Sequence, residues 1–209
     1  MKYNVRVVGL EKIGNNLKKL TICKPKGFEF VSGQHTMIFL EDGRPFSITS
    51  RNEEENLEFL IKVYPEHDGF TKKLNKLEVG DELMIEDARG RIQFEGNGVF
   101  IAGGTGVAPF ISIAKNFIDK EKNTLIFSNK TKNEIILMKE LKELFGETIF
   151  TLTQEEKEGY ENGRITKKLI EEKIKNFDQT FYVCGPAQFV ASMKALLNEL
   201  GVKKIVTEF

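Results

Sequence analysis

Arg44-Pro45-Phe46-Ser47 places a permanent cation, an aromatic ring and a hydroxyl side by side in one extended stretch. A guanidinium fork suits a phosphate. An aromatic face stacks on a flat heterocycle, and a hydroxyl donates to a ring nitrogen. Phe46 and Ser47 fall on opposite sides of a strand, so both reach one ligand only at a strand end or bulge. Gly69-Phe70-Thr71 offers amides and a hydroxyl for a second phosphate cradle. Further on, Gly103-Gly104-Thr105-Gly106-Val107-Ala108-Pro109 lies between an apolar run and a helical segment. Backbone amides there can approach a pyrophosphate because no Cβ intervenes, and the helix start adds favourable potential for an anion. Pro109 suits a first helical turn, where a missing N–H costs nothing. Cys184-Gly185-Pro186 ends another apolar run and opens another helix.

Each stretch also has a bland alternative. Arg44 can pair with Glu41 or Asp42 on the surface, and Phe46 can be a core ring. The glycine turn can serve geometry alone, and Cys184 can be a small buried apolar residue. The turn half matches the dinucleotide fingerprint: Gly104 and Gly106 fit, but Pro109 stands at the third glycine's position. Ser128-Asn129-Lys130 stands where an acid would end the second strand, so a variant nucleotide site is expected. In this order, the stretches point to a flavin in the first half of the chain and a nicotinamide nucleotide in the second.

Two kinds of periodicity supply the scaffold. Up to about residue 97, short alternating runs predict strands at Tyr3–Leu10, Leu17–Cys23, His35–Leu40, Pro45–Ser50, Leu57–Tyr64 and Glu82–Glu86. An amphipathic helix at Thr71–Leu77 places Leu74 and Leu77 on the resulting antiparallel barrel. From Gly98 strands and helices alternate, predicting strands at Val99–Ala102, Thr124–Ser128, Thr148–Thr153, Phe181–Cys184 and Lys204–Glu208. Between them helices are predicted over Ala108–Asp119, Glu134–Phe145, from the N-cap Thr166 to Asn176, and Ala187–Leu200. The fold class is therefore all-β plus α/β: residues 1–97 an antiparallel barrel, residues 98–209 a parallel-sheet nucleotide-binding domain. Gly96-Asn97-Gly98 marks the boundary, too short for a flexible linker, and Gln154–Gly163 is the expected mobile loop.

R-P-F-S, G-F-T, G-G-T-G-V-A-P and C-G-P, spread in order over essentially the whole chain, resemble the ferredoxin–NADP reductase-like flavoprotein superfamily. The resemblance implies an N-terminal FAD-binding Greek-key barrel and a C-terminal nicotinamide-nucleotide domain. Carried over, Arg44 binds the FAD pyrophosphate, Phe46 after Pro45 stacks on the flavin, and Ser47 hydrogen-bonds near flavin N5. Gly69, Phe70 and Thr71 form the phosphate-holding segment. Gly103, Gly104, Thr105 and Gly106 receive the nicotinamide nucleotide, and Cys184, with Gly185 and Pro186, lies near the transferring carbon. Many relatives have Tyr where this chain has Phe46, which keeps stacking and loses a phenol hydrogen bond. A C-terminal aromatic often covers the flavin in this superfamily, a role for which Phe209 is placed unless the terminus frays. Glu208 then interacts with nicotinamide or relays a proton. Phe127–Leu137 resembles the NADH-dependent cytochrome and nitrate reductase branch. Glu134 takes the acid position that disfavours a 2′-phosphate, whereas Lys130 and Lys132 can neutralise one; the balance leans to NADH.

Lys plus Arg and Asp plus Glu both number 31 in 209 residues, so no net field recruits nucleic acid or anionic membrane. No apolar run reaches the ~20 residues that span a bilayer, and Met1–Val5 leads into a strand-like pattern without a signal-peptide core. Two cysteines form no disulfide framework and cannot supply the thiolates of an iron–sulfur cluster. His35 and His67 lack ligand spacing, so no metal site is expected, and the expected compartment is the cytoplasm. Electrons must then leave to a separate flavodoxin, ferredoxin, cytochrome or oxygenase component, with nothing in the sequence selecting one. Two rivals are a flavin reductase using free flavin as substrate and a non-catalytic electron-transfer subunit that binds flavin and nucleotide. The G-F-T cradle favours retained FAD over the first.

Overall fold

The computed structural model describes residues 1–13, 17–63 and 69–208. Its first half contains β1 (Lys2–Ile13), β2 (Leu17–Cys23), β3 (His35–Phe39), β4 (Gly43–Ser47), β5 (Asn56–Lys62), α1 (Phe70–Leu74) and β6 (Glu82–Glu86). The six strands pair antiparallel in the order β4-β3-β6-β1-β2-β5, with β6 returning between β3 and β1 as in a Greek key. A bridge from Ile48 to Phe59 joins the end of β4 to β5 and closes the sheet on itself. Alternation fills the interior: Val5, Val7, Leu20, Ile22, Ile38, Phe59 and Ile85 are buried, and Phe70 and Leu74 of α1 plug this core. Each such side chain contributes roughly 1.5–3 kcal/mol on burial.

The second half contains β7 (Gly98–Gly103), α2 (Ala108–Ala114), β8 (Thr124–Asn129), α3 (Met138–Leu144), β9 (Glu147–Leu152), β10 (Glu161–Asn162), α4 (Lys167–Lys173), β11 (Thr180–Cys184), α5 (Ala187–Glu199) and β12 (Lys204–Thr207). Its strands are all parallel, in the order β10-β9-β8-β7-β11-β12. The first strand in sequence, β7, thus sits inside the sheet, and the chain winds outward on both sides of it. The carboxyl ends of β7 and β11 form the switch point, where open parallel sheets bind ligands.

The elements follow the sequence closely, with three corrections. The helix expected over Glu134–Phe145 is broken. A 3-10 turn at Lys132–Glu134 leads through extended Ile135 to Leu137, which takes left-handed backbone angles (φ 50°), and only then does α3 begin. Ile135, Ile136 and Leu137 pack against the core from this irregular segment. The helices expected to reach Leu77, Asp119 and Asn176 stop at Leu74, Ala114 and Lys173. Thr166 does cap α4, its hydroxyl accepting the Leu169 N–H at 3.2 Å. The expected mobile stretch Gln154–Gly163 contains β10, paired with β9, and sets the Tyr160 ring 6.4 Å from that of Phe150.

One core cluster crosses between the halves: Leu17 and Leu60 of the barrel pack with Phe110, Ile111, Leu125 and Phe127. The junction at Gly96-Asn97-Gly98 is pinned. The Tyr182 hydroxyl donates to the Gly96 carbonyl at 2.7 Å and accepts from the Glu95 N–H at 2.8 Å. Asn123 accepts the Gly98 N–H at 3.0 Å and donates to Asn97 Oδ1 at 3.0 Å. The Ser112 hydroxyl donates across to the Ser50 carbonyl at 3.0 Å. Apolar burial and satisfied buried polar groups together hold one sheet against the other.

Candidate active site

A cleft of about 880 Å³ opens between the barrel and the carboxyl ends of β7 and β11. Of the residues singled out in the sequence, Pro45, Ser47, Thr105, Gly106, Cys184, Gly185, Pro186 and Glu208 line it. Its size falls within the ~300–1,000 Å³ of small-molecule sites.

The wall formed by the parallel-sheet half is made of backbone. After β7 the chain makes a 3-10 turn over Gly104–Val107 before α2, with Gly104 at φ 55°. A Cβ on Gly104 would meet nothing within 4 Å, so the turn is open there. Gly106 is the opposite: a Cβ would run into the Cys184 carbonyl and the Gly185 nitrogen. The two turns therefore approach each other to a distance only glycine permits. Gly103 is buried against the Phe189 ring of α5, 3.1 Å from where its Cβ would be. Cys184 is half-buried and unpaired. Burial, then the charge of Glu208, pushes its thiol up to about 12, so it stands in the cleft as a neutral group.

The barrel wall is made of side chains. Alternation along β4 puts Pro45 and Ser47 into the cleft and turns Phe46 the other way, where its ring stacks on Phe70 at 6.0 Å. Phe70 is itself a core residue, 7% exposed. Arg44 is exposed; it pairs with Asp42 at 3.6 Å and donates to the Gly43 carbonyl at 2.8 Å. The surface pairing weighed for it is thus present, and its fork stays accessible. Gly69 caps α1, accepting the Lys72 N–H at 3.0 Å, and a Cβ there would meet open space. Thr71 is half-buried on the same short helix.

Glu208, just beyond β12, joins the walls. Its carboxylate accepts the Arg91 N–H at 3.2 Å and lies 3.6 Å from His35 Nδ1. His35 pairs with Ser47 in the β3–β4 register and exchanges backbone hydrogen bonds with Arg89, both 2.9 Å. Burial lowers the His35 pKa and Arg89 adds to this, against the opposing pull of Glu208. His35 lacks metal-ligand spacing in the sequence, but it lies on the predicted strand next to the one that carries Ser47, and that proximity is the usable signal. Phe209 lies outside the described residues. Glu134 lies away from the main cleft, its carboxylate held by Lys62 of β5 at 2.8 Å. Among the described residues no cluster of His, Cys, Asp and Glu could hold a metal ion, and no helix is long and apolar enough to cross a membrane.

A closed antiparallel barrel fixed beside a parallel sheet, with a cleft at the sheet's switch point, defines a two-part flavin- and nucleotide-binding architecture. Residues 2–101 match the family described as an FAD-binding domain, and residues 100–195 the oxidoreductase NAD-binding domain. The chain belongs to the ferredoxin–NADP reductase-like superfamily. It is 31% identical over 178 residues to NADH-cytochrome b5 reductase 1 of Aspergillus terreus, covering 75% of this chain but 60% of that protein. The cytochrome b5 reductase domain of Ulva prolifera nitrate reductase superposes with a TM-score of 0.86 at 21% identity, covering 100% of this chain and 97% of that one. A ferredoxin NADP+ reductase from Neisseria gonorrhoeae with bound FAD and NADP gives 0.84 at 19% identity, covering 100% and 99%. The open turn at Gly104 and the cleft's volume fit such cofactors.

Proposed function

We propose that this chain is an FAD-dependent NAD(P)H oxidoreductase, with NADH the preferred donor, that passes electrons to a separate acceptor protein. The observation that carries this reading is the single cleft holding Ser47, Cys184, Glu208 and the glycine turn at the junction of the two sheets. A bound FAD supplies hydride acceptance from nicotinamide and one-electron release. Residues 1–97 hold it, with Arg44 and the Gly69–Thr71 segment on phosphate and Ser47 donating its hydroxyl from the cleft wall, while Phe46, stacked on Phe70, backs that wall from the other face of β4. Residues 98–209 hold the nicotinamide nucleotide, with Gly103–Gly106 receiving it and Cys184-Gly185-Pro186 bordering its reactive end. The neutral Cys184 thiol is a packing and orienting group, since a thiol at about 12 supplies no nucleophile at neutral pH. Glu208 orients groups at the cleft mouth through Arg91 and His35. The fixed placement of the halves supplies positioning and exclusion of water.

The similarity to an NADH-cytochrome b5 reductase supports a cytochrome as the acceptor, ahead of a flavodoxin or ferredoxin. Glu134 supports NADH through its position, and the two unpaired cysteines fit a reducing compartment such as the cytoplasm. Anaerobic titration of the FAD-loaded protein with NADH and then NADPH, followed by visible absorption, tests the proposal. Rapid bleaching with NADH and turnover with a cytochrome acceptor are expected. Protein that cannot be loaded with FAD, or flavin that neither nucleotide bleaches, would overturn it.

A further inference from the structure

A second cavity, of about 420 Å³, lies where the barrel meets α2 and α3, and it shares no lining residue with the cleft. Thr49 and Leu60 line it from the barrel, Ile111 of α2 and Lys115 just past that helix from the other half, and Glu140 from α3. Thr49 is 2% exposed, and its N–H donates to the Glu58 carbonyl at 2.8 Å. Its hydroxyl has no hydrogen-bond partner among the described residues, although buried polar groups rarely go unpaired. The Lys115 side chain is 17% exposed, and its ammonium faces the Glu58 carboxylate at 3.5 Å. That is beyond the ~2.7–3.2 Å of a hydrogen bond. The other Glu58 oxygen lies 3.6 Å from Lys19, so one carboxylate is shared loosely between two lysines. The donors of the Lys115 ammonium therefore stay open among the described residues. Glu140, on the same lining, has no ion pair among the described residues.

We infer that this cavity is a second binding site, taking a zwitterionic α-amino acid with an apolar side chain. Lys115 and Thr49 donate to its carboxylate, Leu60 and Ile111 receive its side chain, and Glu140 takes its ammonium. Unfilled donors on a mostly buried lysine and a buried hydroxyl call for an oxygen ligand, and charge selects its class. The lining holds three lysines and three glutamates, so a bare anion or cation would leave it unbalanced, whereas a zwitterion keeps it even. Its volume lies within the ~300–1,000 Å³ of small-molecule sites. Because both halves contribute to the lining, an occupant ties the barrel to the parallel sheet and stabilises the folded junction. The inference stands apart from the proposed reductase activity, since the two sites have no lining residue in common.

The test is calorimetric titration of L-phenylalanine and L-leucine into the FAD-loaded chain, with melting temperatures at increasing amino acid. A dissociation constant of ~1 mM or tighter and a rising melting temperature are expected. Lys115→Met should weaken binding about tenfold, and Thr49→Val, of the same shape without the hydroxyl, about three- to tenfold. Both variants should keep their FAD content. Thr49→Val should hold or raise the melting temperature without ligand, because the unpaired hydroxyl is gone. L-phenylalaninamide, which has no carboxylate, should fail to bind, and N-acetyl-L-phenylalanine, which has no ammonium, should bind more weakly than the free amino acid. No heat from either amino acid at millimolar concentration would overturn the inference. So would wild-type affinity in both Lys115→Met and Thr49→Val, or N-acetyl-L-phenylalanine that binds as tightly as L-phenylalanine. A chain that fails to load FAD overturns the reductase reading alone, and the same titration on the chain as purified still decides this one.

Discussion

On the nucleotide side of the cleft, backbone packs against backbone: Gly106 lies against the Cys184 carbonyl, and Gly103 against the Phe189 ring. On the barrel side, the surfaces presented are side chains on a two-sided strand: Ser47 and Pro45 inward, Phe46 outward on Phe70, Arg44 in solvent beside Asp42. At Gly103 and Gly106 the first wall is specified by the absence of atoms and has no room for change. The second is specified by which face of β4 each residue occupies, and it can lose a side chain without losing its shape. Substitutions should accordingly damage folding on one wall and ligand affinity on the other.

The largest effect should come from Gly106→Ala. The added methyl meets backbone on Cys184 and Gly185 that cannot swing away, so overpacking of about 3 kcal/mol is expected in urea unfolding, with NAD+ binding lost. Unfolding and affinity both within error of wild type would dissolve the distinction between the walls. Arg44→Ala should do the reverse. Its pair with Asp42 is exposed, so the melting temperature should hold. The FAD dissociation constant should rise roughly tenfold if the guanidinium serves a phosphate. Equal FAD affinity in flavin titration would return Arg44 to its surface role. Gly104→Ala separates strain from crowding on a single turn. At φ 55° with open space around it, alanine meets backbone cost alone, about 1 kcal/mol, read as a modest drop in melting temperature.

Much of this comparison is legible in the sequence, and the part that is not has a physical reason. Period-two and strand–helix patterns give both sheets, with β2 and β6 at their observed bounds, because burial on one face imposes that alternation. The glycine turns are visible because few other residue types tolerate such approach. The break before α3 is not visible. Ile135, Ile136 and Leu137 are as apolar as a helix face, and only tertiary packing puts Leu137 in the left-handed region. Nor does the sequence show the Glu208–His35 contact, which joins the two sheets, or the unpaired hydroxyl of Thr49, which is defined by what its neighbours lack. Arg44 marks an intermediate case, since its residue type fits both phosphate binding and the observed pair with Asp42.

Cys184 and Cys23 sharpen the same contrast chemically. Cys23 is exposed and Cys184 half-buried, with its thiol held up at about 12. Iodoacetamide at pH 8 should therefore modify one thiol per chain, at Cys23, as mapped by peptide mass. Prompt modification of Cys184 would show a thiolate that burial should forbid.

The smallest effect concerns the His35–Glu208 contact across the cleft. His35 faces Glu208 from the end of β12 and Arg89 from the segment after β6, and its pKa is lowered by burial first and by Arg89 second. The folded protein therefore binds fewer protons at this site than the unfolded chain, whose histidine titrates near 6.5. Stability from neutral His35 is complete above about 6.5 and is lost as pH falls through its lower folded value. Melting temperature should decline between pH 7 and 5, and His35→Gln should flatten that decline relative to wild type. Comparing the two variants cancels His67 and the carboxylates common to both. If wild type were instead to gain stability relative to His35→Gln on acidification, attraction to Glu208 would outweigh desolvation. The contact across the cleft would then be an ion pair tightened by protonation, and the barrel wall would be held by charge where burial is now assigned the larger part.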